Sequence, residues 1–204
     1  MMGGFAEFAS RARAHALVPV WRDCLLDLDT PVAAFARLRG AGTAAASTFA
    51  FLLESAPAGS DTWARFTFLG ADPMAAWRVT DGTVEDWDSA SGWHAARRPA
   101  DPVGDLRTAL TRRQSVEAPS VGPFWGGAVG YFGYDVVRHI EALGSPPPRA
   151  IAAPDALFVF TRTMVIIDNL KSQARVTCAV DLDDDLSGPA LRAAFDRAQH
   201  DIDA

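Results

Sequence analysis

The chain has 204 residues with 19 basic and 25 acidic side chains, a formal charge of −6, and is 49% apolar and 10% aromatic. Those figures describe a globular chain and exclude wholesale disorder. The acidic balance, with no basic run longer than the pairs Arg97-Arg98 and Arg112-Arg113, excludes the clustered Lys/Arg footprint of a nucleic-acid binder. Phe5 to Leu17 holds no uninterrupted apolar stretch, and no span approaches eighteen apolar residues, so a cytoplasmic, non-membrane protein is expected.

In chain order, Val18 to Trp21 reads as a first strand. Asp29-Thr30-Pro31 then starts a helix: a side-chain oxygen can cap orphan N–H groups, and a Pro in the first turn loses no hydrogen bond. Val32, Phe35 and Leu38 follow at helical spacing before Gly40 ends the turn. Gly40 to Ser47 reads as a loop. Thr48 to Leu53 and Arg65 to Leu69 are strands, as are Trp77 to Thr80 and Val84 to Trp87, the last two joined by Asp81-Gly82, where a tight hairpin turn needs positive φ. Asp101-Pro102 starts a second helix with Val103, Leu106 and Leu110 on its apolar side. A further helix is expected from Tyr134 to Leu143, with Asp135 as its cap, and then loops at Gly144 to Pro148 and Ala152 to Asp155. Leu157 to Phe160, Met164 to Ile167 and Val176 to Val180 are strands, the last two separated by a polar break at Asn169 to Gln173. Ser187-Gly188-Pro189 opens a final helix carrying Leu191, Phe195, Ala198 and Ile202. Antiparallel hairpins with helices inserted between them give an α+β class, antiparallel sheets with helices packed on them, and argue against a doubly wound nucleotide fold.

The inventory for chemistry is thin. His15, His94, His139 and His200 are scattered, and neither HExxH nor CxxC occurs. Cys24 and Cys178 match no metal spacing and read as free thiols. Asp181, Asp183, Asp184 and Asp185 lack the Gly and distal Glu of a calcium loop and read as a solvated turn ahead of the last helix, where its dipole favours them. No residue is assigned a catalytic or metal-binding role.

Two segments stand out. Phe51-Leu52-Leu53-Glu54-Ser55 ends an apolar strand on a carboxylate and a hydroxyl, and the chain then turns so that Arg65 opens the next strand. Opposite charges at one end of a hairpin can hold an amino acid, with Glu54 taking the ammonium, Ser55 adding a hydrogen bond, and Arg65 facing the carboxylate or supporting Glu54. The plain alternative is an exposed Glu54–Arg65 ion pair of little energetic weight. The second segment, Gly126-Gly127-Ala128-Val129-Gly130-Tyr131-Phe132-Gly133-Tyr134-Asp135, fits neither phosphate-loop pattern, and its glycines instead mark places where another backbone comes close.

Six elements stand in order as Val18 to Arg22, Thr30-Pro31, Leu52 to Ser55, Ala64 to Gly70, Gly126 to Asp135 and Pro154-Asp155. Together they resemble the N-terminal region of anthranilate synthase component I, the large, chorismate-using subunit, with Ala64 in place of a usual Gly and Phe66-Thr67 in place of Tyr-Ser. The resemblance implies that residues 1–204 form the N-terminal domain of the fold shared by chorismate-utilising enzymes, with the C-terminal chorismate-binding domain, and the glutamates that hold magnesium, absent. It implies no cofactor in this chain and Mg in the complete enzyme, which makes anthranilate and pyruvate with ammonia from a glutamine amidotransferase subunit. It also implies that Glu54, Ser55 and Arg65 belong to the site of the feedback inhibitor L-tryptophan. Aminodeoxychorismate synthase component I is a rival within the same resemblance, and a stand-alone amino-acid-binding or subunit-interaction module is a rival of another class. If a domain is missing, part of the apolar surface should lie exposed where that domain would pack.

Overall fold

The structure, a computed structural model, describes residues 3–26, 29–40, 49–55, 65–145 and 151–204. In chain order the elements are α1 (Phe5–Arg11), β1 (Ala16–Leu25), α2 (Pro31–Gly40), β2 (Ala50–Glu54), β3 (Phe66–Ala71), β4 (Ala75–Thr80), β5 (Thr83–Asp88) and β6 (Gly92–Arg97). They continue as α3 (Pro102–Thr111), β7 (Gln114–Ser115), β8 (Ala128–Phe132), β9 (Ala156–Phe160), β10 (Thr163–Asp168), β11 (Gln173–Asp181) and α4 (Gly188–Asp203). The class is α+β, as the hairpin-rich pattern predicts. The chain divides into two compact units, Met1–Pro73, Arg113–Gly127 and Thr161–Ala204 in one, and Met74–Arg112 with Ala128–Phe160 in the other.

The first unit holds a six-stranded sheet in the order β2-β3-β10-β11-β1-β7. Every pairing is antiparallel except the short parallel contact of β1 with β7. On one side, Ala34, Phe35 and Leu38 of α2 pack with Leu52 and Val165 on the buried trio Leu69, Ile167 and Ala174. The α2 stripe is therefore shifted from the expected one, since Val32 is exposed. Thr30 is the cap, its Oγ1 accepting from the Ala33 N–H at 3.2 Å, while the Asp29 carboxylate takes Arg37 instead. Helix α4 begins as expected, with the Ser187 hydroxyl accepting from the Ala190 N–H at 3.4 Å, and it buries Leu191, Ala194, Phe195 and Ala198. It packs on β1, β11 and α1. The short α1, which no sequence signal announces, joins it through Phe5 and Phe8, whose rings lie 5.6 and 5.5 Å from that of Phe195.

The second unit holds a five-stranded antiparallel sheet in the order β6-β5-β4-β9-β8. Thr80 faces Thr83 across the Asp81-Gly82 turn, and both turn residues have positive φ, 49° and 73°, the geometry that hairpin needs. The core is Trp77, Val79, Val84, Leu106, Val136, Ala156 and Phe160. Asp101 caps α3, accepting from the Gly104 N–H at 2.8 Å. Val103 and Leu106 pack inward as expected, while Leu110 is exposed and Ala109 packs in its place. The helix expected from Tyr134 to Leu143 is a single stretch of 3₁₀ helix, Tyr134–His139. Only Val136 in it is buried, while Ile140 and Leu143 lie exposed beyond its end. Gly133 is its cap residue and Asp135 pairs with Arg138 at 2.9 Å, so the expected Asp135 cap is not made. The expected start of β2 at Thr48, the loop at 41–47, the turn at 56–64 and the loop residues 146–148 lie outside the described residues.

Candidate functional site

The register of β2 on β3 sets the end of the hairpin. Glu54 stands opposite Thr67, and Arg65 lies two residues before Thr67, at the same end of the sheet. Glu54 and Ser55 are exposed, and among the described residues no hydrogen bond or ion pair takes up the Glu54 carboxylate. The sheet thus brings Glu54, Ser55 and Arg65 to one edge, but the pairing of Arg65 with Glu54 that the spacing allows is not made. Arg65 instead donates through Nε and Nη2 to the two Asp168 oxygens at 3.1 and 2.6 Å. Its guanidinium also lies over the Phe66 ring, 4.8 Å from the centroid. The Arg65 hydrogen bonds hold the Asp168 carboxyl below the usual carboxylate range, burial opposing them.

Asp168, the partner of Arg65, is the residue here that the sequence spacing does not announce. It sits opposite Phe66 at the end of β10, 103 residues from Arg65. Its local context, a polar residue opening the Asn169 to Gln173 turn, marks only a hairpin.

The glycine segment behaves as its composition predicts. In the first unit, Gly127 has φ +136° and a Cβ on Gly126 would stand 3.1 Å from the Ala179 Cβ. The Thr161 hydroxyl accepts from the Gly127 N–H at 3.0 Å. In the second unit, a Cβ on Gly130 would lie 2.0 Å from the Leu157 carbonyl oxygen, and one on Gly133 would lie 2.8 Å from that of Asp155. These glycines serve backbone approach, and no phosphate cradle is formed from them.

No protein-family model matches the chain. Curated relatives do. Anthranilate synthase component 1 of Acinetobacter calcoaceticus is 32% identical over 191 residues, covering 91% of this chain and 35% of that protein. The chain belongs with the N-terminal part of anthranilate synthase component 1. The component 1 proteins of Acetivibrio thermocellus and Mycobacterium tuberculosis H37Rv are 29% and 32% identical, over 83% and 80% of this chain and 33% and 31% of their own lengths. The chain thus spans about a third of the length of these component 1 relatives. A crystal structure of anthranilate synthase component I from Streptococcus pneumoniae TIGR4 is similar at 24% identity and a TM-score of 0.49, over 89% of this chain and 36% of that one.

The resemblance implies magnesium in the complete enzyme. Among the described residues no group of three or more His, Cys, Asp or Glu side chains is arranged to hold a metal ion. His15 meets Asp184 at 3.0 Å and His94 meets Asp88 at 3.5 Å, each a two-member contact. The residues described do not fit the ion. Cys24 is exposed and Cys178 buried, both free, and burial, with Asp201 nearby, pushes the Cys178 thiol up to about 11, which leaves it an inert core residue. Among the described residues no helix is long and apolar enough to cross a membrane.

Proposed function

We propose that the chain is the N-terminal domain of an anthranilate synthase large subunit, and that it contributes scaffold and feedback control in tryptophan biosynthesis, with the bond-making residues elsewhere in the parent protein. The observation that carries this reading is the likeness, over 91% of the chain, to a curated component 1 protein. In this reading the complete enzyme converts chorismate and ammonia, passed on by a glutamine amidotransferase subunit, to anthranilate and pyruvate. Any magnesium would be held by the C-terminal domain, since the described residues of this chain do not fit the ion.

L-Tryptophan is the inhibitor, and the β2–β3 end is this chain's share of its site. Glu54, exposed and without a hydrogen-bond or ion-pair partner among the described residues, suits an ammonium. Ser55 adds a hydroxyl beside it. Arg65 spends Nε and part of Nη2 on Asp168, which fixes its guanidinium plane and leaves the remaining N–H groups for a carboxylate. Inhibition is then a coupling free energy between the tryptophan and chorismate sites, and chorismate weakens tryptophan binding by the same factor.

The test uses the parent enzyme with chorismate and ammonia. Fluorescent anthranilate should form, and S55A should raise the tryptophan concentration needed for half-inhibition by at least about fivefold, the loss of one charge-assisted hydrogen bond. Formation of aminodeoxychorismate in place of anthranilate would overturn the branch, and unchanged inhibition in S55A would overturn the role of Ser55.

A further inference from the structure

The face of the first unit's sheet opposite to Glu54 bears a cleft. Two cross-strand rows run side by side there. One is Asp23, Arg175, Ile166 and Phe68, and the next, two residues along each strand, is Leu25, Gln173, Asp168 and Phe66. Glu54 stands opposite Thr67, so strand alternation puts it on the other face from Phe66.

The segment Pro119 to Gly122 borders these rows and is tied to them by Arg175. That guanidinium donates Nε to Asp23 at 2.5 Å, and Nη1 to the carbonyls of Ser120 and Val121 at 2.5 and 2.7 Å. Gly122, at φ +143°, carries the bend, and Ile166 lies close beneath it. Between segment and sheet is a cleft of about 290 Å³, with Phe66, Ile166 and Val121 as apolar lining and Arg65, Arg175 and Lys171 as cations.

The charges do not balance. Arg65 is matched by Asp168 and Arg175 by Asp23, and both carboxyls are held below their usual range and so stay ionised at neutral pH. Lys171, the chain's one lysine, projects from the β10–β11 turn into the lining and has no ion pair among the described residues. The cleft therefore holds one surplus positive charge beside an apolar surface, which fits a ligand with one negative charge and an apolar body.

We propose that this cleft binds a small monoanionic carboxylate, its carboxylate held by Lys171 and the unspent N–H groups of Arg65, its apolar body laid on Phe66 and Ile166. Arg65 is shared with the proposed tryptophan site, and its remaining N–H groups serve one ligand at a time; Lys171 has no part in the tryptophan reading, so variants at Lys171 test this cleft alone.

Titration of the 204-residue chain with benzoate and with its neutral analogue benzamide tests it, followed by calorimetry or by amide chemical shifts. Benzoate should bind saturably, at least tenfold tighter than benzamide, and weaken as salt is raised. K171Q, a change at an exposed turn, should weaken benzoate about tenfold while leaving benzamide unaffected, and K171R should restore most of the loss. Absence of saturable benzoate binding, equal binding of benzamide, or an unaffected K171Q would each overturn the proposal.

Discussion

Asp105 does two things at once in the second unit: it accepts from the buried Trp77 Nε1–H at 2.8 Å, and it takes Nε and Nη2 of Arg97 at 2.9 and 2.6 Å. Arg97 reaches on to Asp86 at 2.6 Å. Asp105→Ala leaves a buried indole N–H without its acceptor, at a cost of about 2–3 kcal/mol, checked by urea unfolding; Asp105→Asn, which can still accept from Trp77, should cost less. The Arg97 hydrogen bonds hold the Asp105 carboxyl below its usual range, as those of Arg65 do for Asp168. When pH falls through about 4, the unfolded chain takes up protons that the folded chain does not, so the stabilisation present above that point is lost toward lower pH. The urea midpoint should fall between pH 5 and pH 3, and Asp105→Asn should flatten part of that fall. A midpoint independent of pH in this range would contradict it. At this scale the placing of Glu54, Ser55 and Arg65 at one end of a strand pair was legible, because two short apolar strands end and begin on them. Asp168 and Asp105 were not, because their partners are brought to them by strand pairings and helix docking that no local spacing encodes.

Helix starts were legible wherever a capping oxygen and a first-turn Pro coincide, at Thr30-Pro31, Asp101-Pro102 and Ser187-Gly188-Pro189. Their apolar stripes were less so: Val32 and Leu110 sit at helical spacing yet face solvent, because the sheet's position, and not the period alone, decides which edge of the stripe is used. The Tyr134 to Leu143 stretch has helical periodicity and still forms only 3₁₀ helix, since Gly133 N–H is tied to the Asp155 carbonyl at 2.6 Å and no side chain caps the segment. Strands β6 and β7 escaped notice, one having no β-branched residue and the other being two residues long. Strand β8 was announced only by its glycines. Gly130→Ala drives a Cβ into the Leu157 carbonyl, so it should destabilise the β8–β9 pair by about 3 kcal/mol or more. Thermal unfolding together with amide exchange along 128–132 checks this, and a variant with wild-type stability would refute the close approach.

For the whole molecule, two antiparallel-dominated sheets and their helices realise the α+β class, and the sequence likeness places the chain in the anthranilate synthase component 1 family. Edge strand β8 and the residues after it expose Tyr131, Phe132, Tyr134, Ile140 and Ile151, with Tyr134 92% exposed. Apolar side chains next to unpaired edge groups are an association surface. Under the proposed function the rest of the parent covers this edge, and amides of 128–132 should exchange more slowly in the parent than in the 204-residue chain; equal rates would argue that the edge stays open. Under the proposed function the β2–β3 end senses tryptophan. The most direct measurement of this is the tryptophan concentration giving half-inhibition of the parent enzyme carrying E54Q, with chorismate kcat measured alongside. At least a tenfold rise with kcat within about twofold of wild type is expected, and inhibition unchanged from wild type would contradict a sensing role for the β2–β3 end.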